Sequence, residues 1–212
     1  ILKGSRLTDF IGNNSLGNKR ISSLLADRQS NIWIGTAGGY GRIFGDNLFF
    51  MNQERGFIND EVQSVIEDKK GRIWIATMGG LVKLDGVTYT DYNDVEGLTS
   101  LKISSLAEDP AGNIWIGTLD GGIFKFDISK DSIPVSLLAA KGILSSNKIN
   151  SLNFIRDTLV AAGNDKGFDL LILDKSLMIR HVIHYGINDG FTGGENSSNS
   201  IAVDSEGMVW IG

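Results

Sequence analysis

The sequence predicts an all-β chain of propeller blades, each a four-stranded antiparallel sheet. Three observations predict it. Trp33, Trp74 and Trp115 recur at a spacing of 41 residues inside near-identical pentads. A polar turn led by aspartate stands ahead of each pentad and a glycine pair stands behind it. The chain carries 27 glycines against 2 prolines, which is the chemistry of tight turns in β structure rather than of disorder. Four short strands in a unit of roughly 40 residues is the arithmetic of a propeller blade.

The pentads are Ile32-Trp33-Ile34-Gly35-Thr36, Ile73-Trp74-Ile75-Ala76-Thr77 and Ile114-Trp115-Ile116-Gly117-Thr118. Trp210 lies in a further copy, Val209-Trp210-Ile211-Gly212, and Leu159-Val160-Ala161-Ala162-Gly163 is a degenerate one. Strand alternation sends the isoleucines to one face of the blade and Trp with Gly to the other. A large ring beside a small residue suits the tapering gap between blades, so the tryptophans read as wedges.

Ahead of the pentads run Ile21–Ala26, Val62–Glu67, Ile103–Glu108 and residues 200–203. The turns that follow are led by Asp27, Asp68, Asp109 and Asp204. Aspartate in first place bonds back to the backbone, and glycine in fourth place takes the left-handed conformation of a bulged hairpin. Ser30 stands where Gly71, Gly112 and Gly207 stand, which predicts mild strain in the first turn. In the degenerate unit Ile155-Arg156-Asp157-Thr158 replaces the turn, so that hairpin must close differently. Behind the pentads come Gly38-Gly39, Gly79-Gly80 and Gly121-Gly122, then alternating strands, then breaks at Gly56-Phe57, Gly97-Leu98, Gly142-Ile143 and Gly190-Phe191.

The whole of 1–212 reads as a single propeller region. Full blades are expected at 21–52, 62–93, 103–139 and 149–185, with the second half of a blade at 1–12 and the first half of another at 199–212. About five blades result. They read as a partial ring or an arc of a larger one, with both ends cut from something longer. The halves are complementary, so a closed five-bladed ring is the competing reading.

The net charge of −5 argues against nucleic acid as a partner. No run approaches 18 apolar residues, so no membrane span is expected. The absence of cysteine removes disulfides and thiol catalysis. His181 and His184 are the only histidines, and three residues apart on a strand they point to opposite faces. They cannot chelate one metal together. No catalytic residue, metal or cofactor is expected, because the turn aspartates repeat whereas a catalytic pair would sit at unique positions.

The segment 105–118, Ser-Leu-x-x-Asp-x-x-Gly-Asn-Ile-Trp-Ile-Gly-Thr, resembles the two-component regulator propeller repeat, and Gly121-Gly122-Ile123-Phe124-Lys125-Phe126-Asp127 fits its continuation. The resemblance implies the extracytoplasmic, periplasmic part of a hybrid sensor histidine kinase. In that family, rings usually of seven blades precede a sandwich domain, a membrane helix and the kinase, and the ligands are mostly oligosaccharides. It also implies homodimerisation through the full-length receptor. The degenerate fourth unit and the insert over 128–141 depart from the pattern. A lyase or hydrolase similar to streptogramin lyase would need histidine and metal on one face. A scaffold similar to the WD-repeat proteins would need Gly-His and Trp-Asp dipeptides that are missing.

Binding residues are expected where loops of one propeller face meet. Before the inner strands stand Arg20, Glu61, Lys102 and Lys148, and after the pentads stand Tyr40, Met78, Asp120, Asn164 and Asp165. These vary where the wedge residues repeat, and they suit a sugar or another polar ligand.

Overall fold

A computed structural model describes residues 2–3, 6–7, 20–129, 134–190, 200–204 and 208–211. Its regular structure is strand, with single 3-10 turns at Gln53–Arg55 and Ile187–Asp189. Four four-stranded meanders follow one another. Blade 1 comprises β3 (Ile21–Ala26), β4 (Ile32–Thr36), β5 (Gly39–Phe44) and β6 (Asn47–Met51). Blade 2 comprises β7 (Val62–Glu67), β8 (Ile73–Thr77), β9 (Gly80–Asp85) and β10 (Thr88–Asp91). Blade 3 comprises β11 (Ile103–Glu108), β12 (Ile114–Thr118), β13 (Ile123–Phe126) and β14 (Val135–Ala139). Blade 4 comprises β15 (Ile149–Arg156), β16 (Leu159–Asn164), β17 (Gly167–Leu173) and β18 (Ile179–Tyr185). Two-stranded pairs flank them: β1 (Leu2–Lys3) with β2 (Arg6–Leu7), and β19 (Ile201–Val203) with β20 (Val209–Ile211).

The first strand of each blade lies beside the first strand of the next, so β3, β7, β11, β15 and β19 form the inner layer. Each full blade's inner strand bulges after its first residue, at Ser22, Gln63, Ser104 and Asn150. A bulge re-aims its side chain. Here the Ser22 and Ser104 hydroxyls reach across to the carbonyls of Val62 and Ile149 on the following inner strands.

The core lies in the seams between blades. Trp33 packs with Val62, Val65, Ile73 and Ile75 of blade 2. Trp74 packs with Ile103, Leu106, Ile114 and Ile116 of blade 3, and Trp115 with Ile149, Leu152, Val160 and Ala162 of blade 4. The wedge reading describes Trp33, Trp74 and Trp115 in these seams, whereas Trp210, in the last described strand pair, is 62% exposed. Trp74 and Trp115 are fully buried. At about 25 cal/mol per Å² and 150–250 Å² per ring, each is worth roughly 4–6 kcal/mol of burial.

Each turn aspartate does more than shape its turn. Asp68 Oδ1 accepts the amides of Lys70 and Arg72, while Oδ2 accepts Arg72 Nε at 2.6 Å and the Trp74 indole N–H at 2.8 Å. The same aspartate-to-indole bond joins Asp27 to Trp33 at 2.9 Å, Asp109 to Trp115 at 3.3 Å and Asp204 to Trp210 at 3.0 Å. The turns close as expected, with Gly71 and Gly112 at φ 79° and 89°, and Ser30 is forced to φ 65°. Position 207 lies outside the described residues. The degenerate hairpin closes on two residues, with Arg156 paired to Leu159. Blade 4 instead places an aspartate turn on its outer hairpin. Asp174 accepts the Ser176 and Met178 amides and Arg180 Nε, and Leu177 takes φ 59°.

The same end of the blades carries a belt between neighbours. The Arg28 amide and the Lys69 amide donate to Glu67 and Glu108 of the next blade. Their side chains reach on to the Lys69 carbonyl and to the Asp109 and Pro110 carbonyls. Pro110, third in this series, has no N–H to give. In register with Glu108 on its strand, blade 4 carries Phe154, which packs edge-on against Trp115 at 5.0 Å.

Burial opposes ionisation of Asp68, but the bonds from Trp74 and Arg72 outweigh it and hold the carboxyl below its ordinary value. The clamp's contribution is therefore complete above the unfolded carboxylate range and lost as pH falls through and below about 4. Asp68→Ala leaves the indole, the guanidinium and two amides unpaired and should cost about 2–3 kcal/mol at pH 7 by urea unfolding. The difference from the parent should shrink steadily towards pH 3.

Candidate functional site

At the end opposite the aspartate turns, each blade brings together two connections: the loop entering its inner strand and the turn after its pentad. A backbone bond staples them in three blades. Ala37 N–H donates to the Arg20 carbonyl, Met78 to Glu61 and Leu119 to Lys102, each at 3.0 Å. The entry residues expected to bind thus lie directly beside the turns expected to bind. Thr36, Thr77 and Thr118 lock these turns, each donating to a glycine carbonyl and accepting a glycine amide. Gly39 and Gly122 then donate to Asp60 and Asn147 on the entry loop of the following blade, so the loops are tied around the face. Gly39 sits at φ 124°, and a Cβ there would meet the Met51 carbonyl at 2.0 Å, so this turn needs glycine.

The entry loops are anchored from below. Phe57, Leu98 and Leu144 are buried in the three seams. In the third loop it is Leu144 that is buried, and Ile143, beside the glycine, is exposed.

On this scaffold the candidates separate. Arg20 and Glu61 are exposed, and Met78, Lys148 and Asp165 are partly buried. Lys102 Nζ meets Asp120 Oδ2 at 3.1 Å with both side chains about half exposed. The Ser100 hydroxyl also bonds Asp120, and with Lys102 it holds that carboxyl below its ordinary value. Tyr40 lies inside β5 rather than on the turn. It packs between Trp33 and Phe57 at 5% exposure, and burial pushes its hydroxyl up to about 12. Asn164 is fully buried in the threonine position of blade 4, where it accepts the Lys166 amide and donates to Ser145 and Asp169.

Asp169 gathers a buried group of polar side chains in blade 4 that the repeat does not announce. In the register where blade 2 holds Val82 and blade 3 holds Phe124, this carboxylate is fully buried. It accepts the Ser145 amide and hydroxyl at 2.9 Å, Asn164 Nδ2 at 3.3 Å and His184 Nδ1 at 3.0 Å. It therefore ties the entry loop, the post-pentad turn and the outer strand into one unit. His181 pairs across from Ile172, and His184 from Asp169. Among the described residues no three His, Cys, Asp or Glu side chains are grouped to hold a metal.

The family model of the two component regulator propeller matches residues 15–38, 56–79 and 97–120. No curated protein sequence gives a match. Among solved structures, the extracellular domain of a putative hybrid two component system from B. thetaiotaomicron superposes over 92% of this chain, at TM-score 0.77 and 20% identity. A putative one component system from the same organism does so over 92% at TM-score 0.77 and 23% identity. This chain spans about a quarter of their length, 26% and 28%. An inactive virginiamycin B lyase from Staphylococcus aureus aligns over 92% of this chain and 63% of its own, at TM-score 0.66 and 13% identity. At these identities the structural likeness establishes the propeller fold.

Asp169→Ala should release the loop over 141–148. Hydrogen exchange of its amides should rise at least tenfold, with the seam between blades 1 and 2 unchanged, at a stability cost of about 3 kcal/mol.

Proposed function

We propose that this run of two component regulator propeller repeats is a non-catalytic ligand-sensing module of a two-component signalling protein. It works on the extracytoplasmic side, in the periplasm, and passes ligand binding to a downstream histidine kinase in a receptor that dimerises through its full length. The ligand is an oligosaccharide or a similar polar molecule, held on the face where entry loops and post-pentad turns meet.

One observation carries this reading. Equivalent positions on that face are held by the same staple in blades 1 to 3 yet bear unlike side chains: Arg20, Glu61 with Met78, and Lys102 with Asp120, while blade 4 carries Lys148 and Asp165 at its corresponding connections. A fold that needed these positions for packing would repeat them, as it repeats the seam residues. Charged groups of both signs with a thioether suit a ligand bearing many hydroxyls and an apolar ring face. Such positions also lie on rigid supports, since the threonine locks and buried Phe57, Leu98 and Leu144 fix the loops beneath them.

The test is a thermal-shift and calorimetric screen of the full chain against defined hexose, pentose and uronate oligosaccharides. One class should bind and raise the melting temperature. Lys102→Ala combined with Arg20→Ala should weaken that binding at least tenfold while leaving the unliganded melting temperature within about 2 °C, because both side chains are exposed. Binding untouched by the pair, or no oligosaccharide bound by the folded chain, would sink the proposal.

A further inference from the structure

Blade 1 departs from its neighbours on the outer half of the face that carries the wedge tryptophan. In register, Trp33 pairs with Arg42 and Arg42 with Phe49, while Phe44 pairs with Asn47. The same positions in blade 2 hold Trp74, Lys83, Thr90, Asp85 and Thr88. In blade 3, Trp115 pairs with Lys125 and Lys125 with Ser136, and Asp127 follows two residues on. The fold therefore accepts Asp and Thr or Ser where blade 1 has Phe44 and Phe49. Those two rings are 65% and 54% exposed. Neighbouring exposed aromatics that the architecture does not demand mark a contact surface.

The cation between them is equally unspent. Arg42 lies over the Trp33 ring at 5.1 Å and the Phe44 ring at 6.0 Å. Among the described residues it has no ion pair, and its Nε is buried without a hydrogen-bond partner. The corresponding Lys125 has Asp109 at 3.9 Å. A guanidinium held flat by aromatic faces keeps its fork of N–H donors in plane, the geometry that accepts a carboxylate through two bonds. Arg42, Phe44, Asn47 and Phe49 line a groove of about 410 Å³, room for one ring with its substituent.

We propose that this groove is a binding site for a small carboxylate bearing a flat apolar ring. The ring lies against Phe44 and Phe49, the carboxylate takes the Arg42 fork, and the Asn47 amide offers a further donor. The groove sits on the outer strands at the hairpin end, away from the face assigned to the polar ligand, and does not rest on that assignment.

Benzoate titrated into the full chain, followed at the Trp33 indole N–H by NMR, tests it. Benzoate should give a saturable shift, with benzamide and acetate binding at least tenfold more weakly. Arg42→Lys and the pair Phe44→Asp with Phe49→Thr install the side chains of blade 2, so folding is retained and checked by the rest of the spectrum. Each should weaken benzoate at least tenfold. No saturable shift, or equal affinity in the variants, overturns the proposal. So does tenfold tighter binding of the capped dipeptide Ac-Phe-Asp-NH₂, which would make the groove a dock for a protein segment.

Discussion

The structure depends on the satisfaction of one polar atom in a dry place. A blade cannot bury both faces alone, so its stability comes from the seam with its neighbour. The seam is filled by an indole, and an indole brings an N–H that must find an acceptor. The turn aspartate supplies it from six residues upstream, with the same carboxylate that caps the turn's amides. Turn geometry, side-chain orientation and inter-blade packing are thus fixed by one group. This explains why Asp and Trp recur together, and why the blade lacking the tryptophan also lacks this turn.

Blade 4 shows what replaces the device. Ala161 stands in the wedge register, and its first hairpin closes on two residues. Polar order moves elsewhere, to the Asp174 turn on the outer hairpin and to Asp169 beneath the entry loop. A buried carboxylate with four donors is stable where it is, although it occupies a position that the other blades fill with apolar side chains or glycine.

Much of this was legible in the sequence because repetition makes structural residues visible. The 41-residue period gave the blades, alternation gave the faces, and the glycine at the fourth turn position gave its left-handed backbone, down to the strained Ser30. The indole bond was there to be read in the constant Asp-to-Trp spacing. The inner-strand bulges were not, since a bulge depends on cross-strand register and Ser22, Gln63, Ser104 and Asn150 share only polarity. Site residues were harder still. Tyr40 reads as a loop aromatic but continues a strand, and Asn164 reads as a loop amide but fills a buried threonine position. Asp169 is unique in the chain, so no periodicity could single it out. The converse holds for Phe44 and Phe49, whose meaning appears only when register aligns them with Asp85 and Thr90.

The belt along the aspartate-turn end has a mechanical consequence. Arg28 to Glu67 and Lys69 to Glu108 couple the first three blades in series, so a displacement at one turn is passed to the next. Pro110 ends that chain of transmission along this rim, where blade 3 meets blade 4 through an aromatic contact. Blades 3 and 4 are coupled instead at the inner wall and the opposite face, by the Ser104 hydroxyl on the Ile149 carbonyl and the Gly122 amide on the Asn147 carbonyl, so the load path crosses from the rim to the inner strands at that junction.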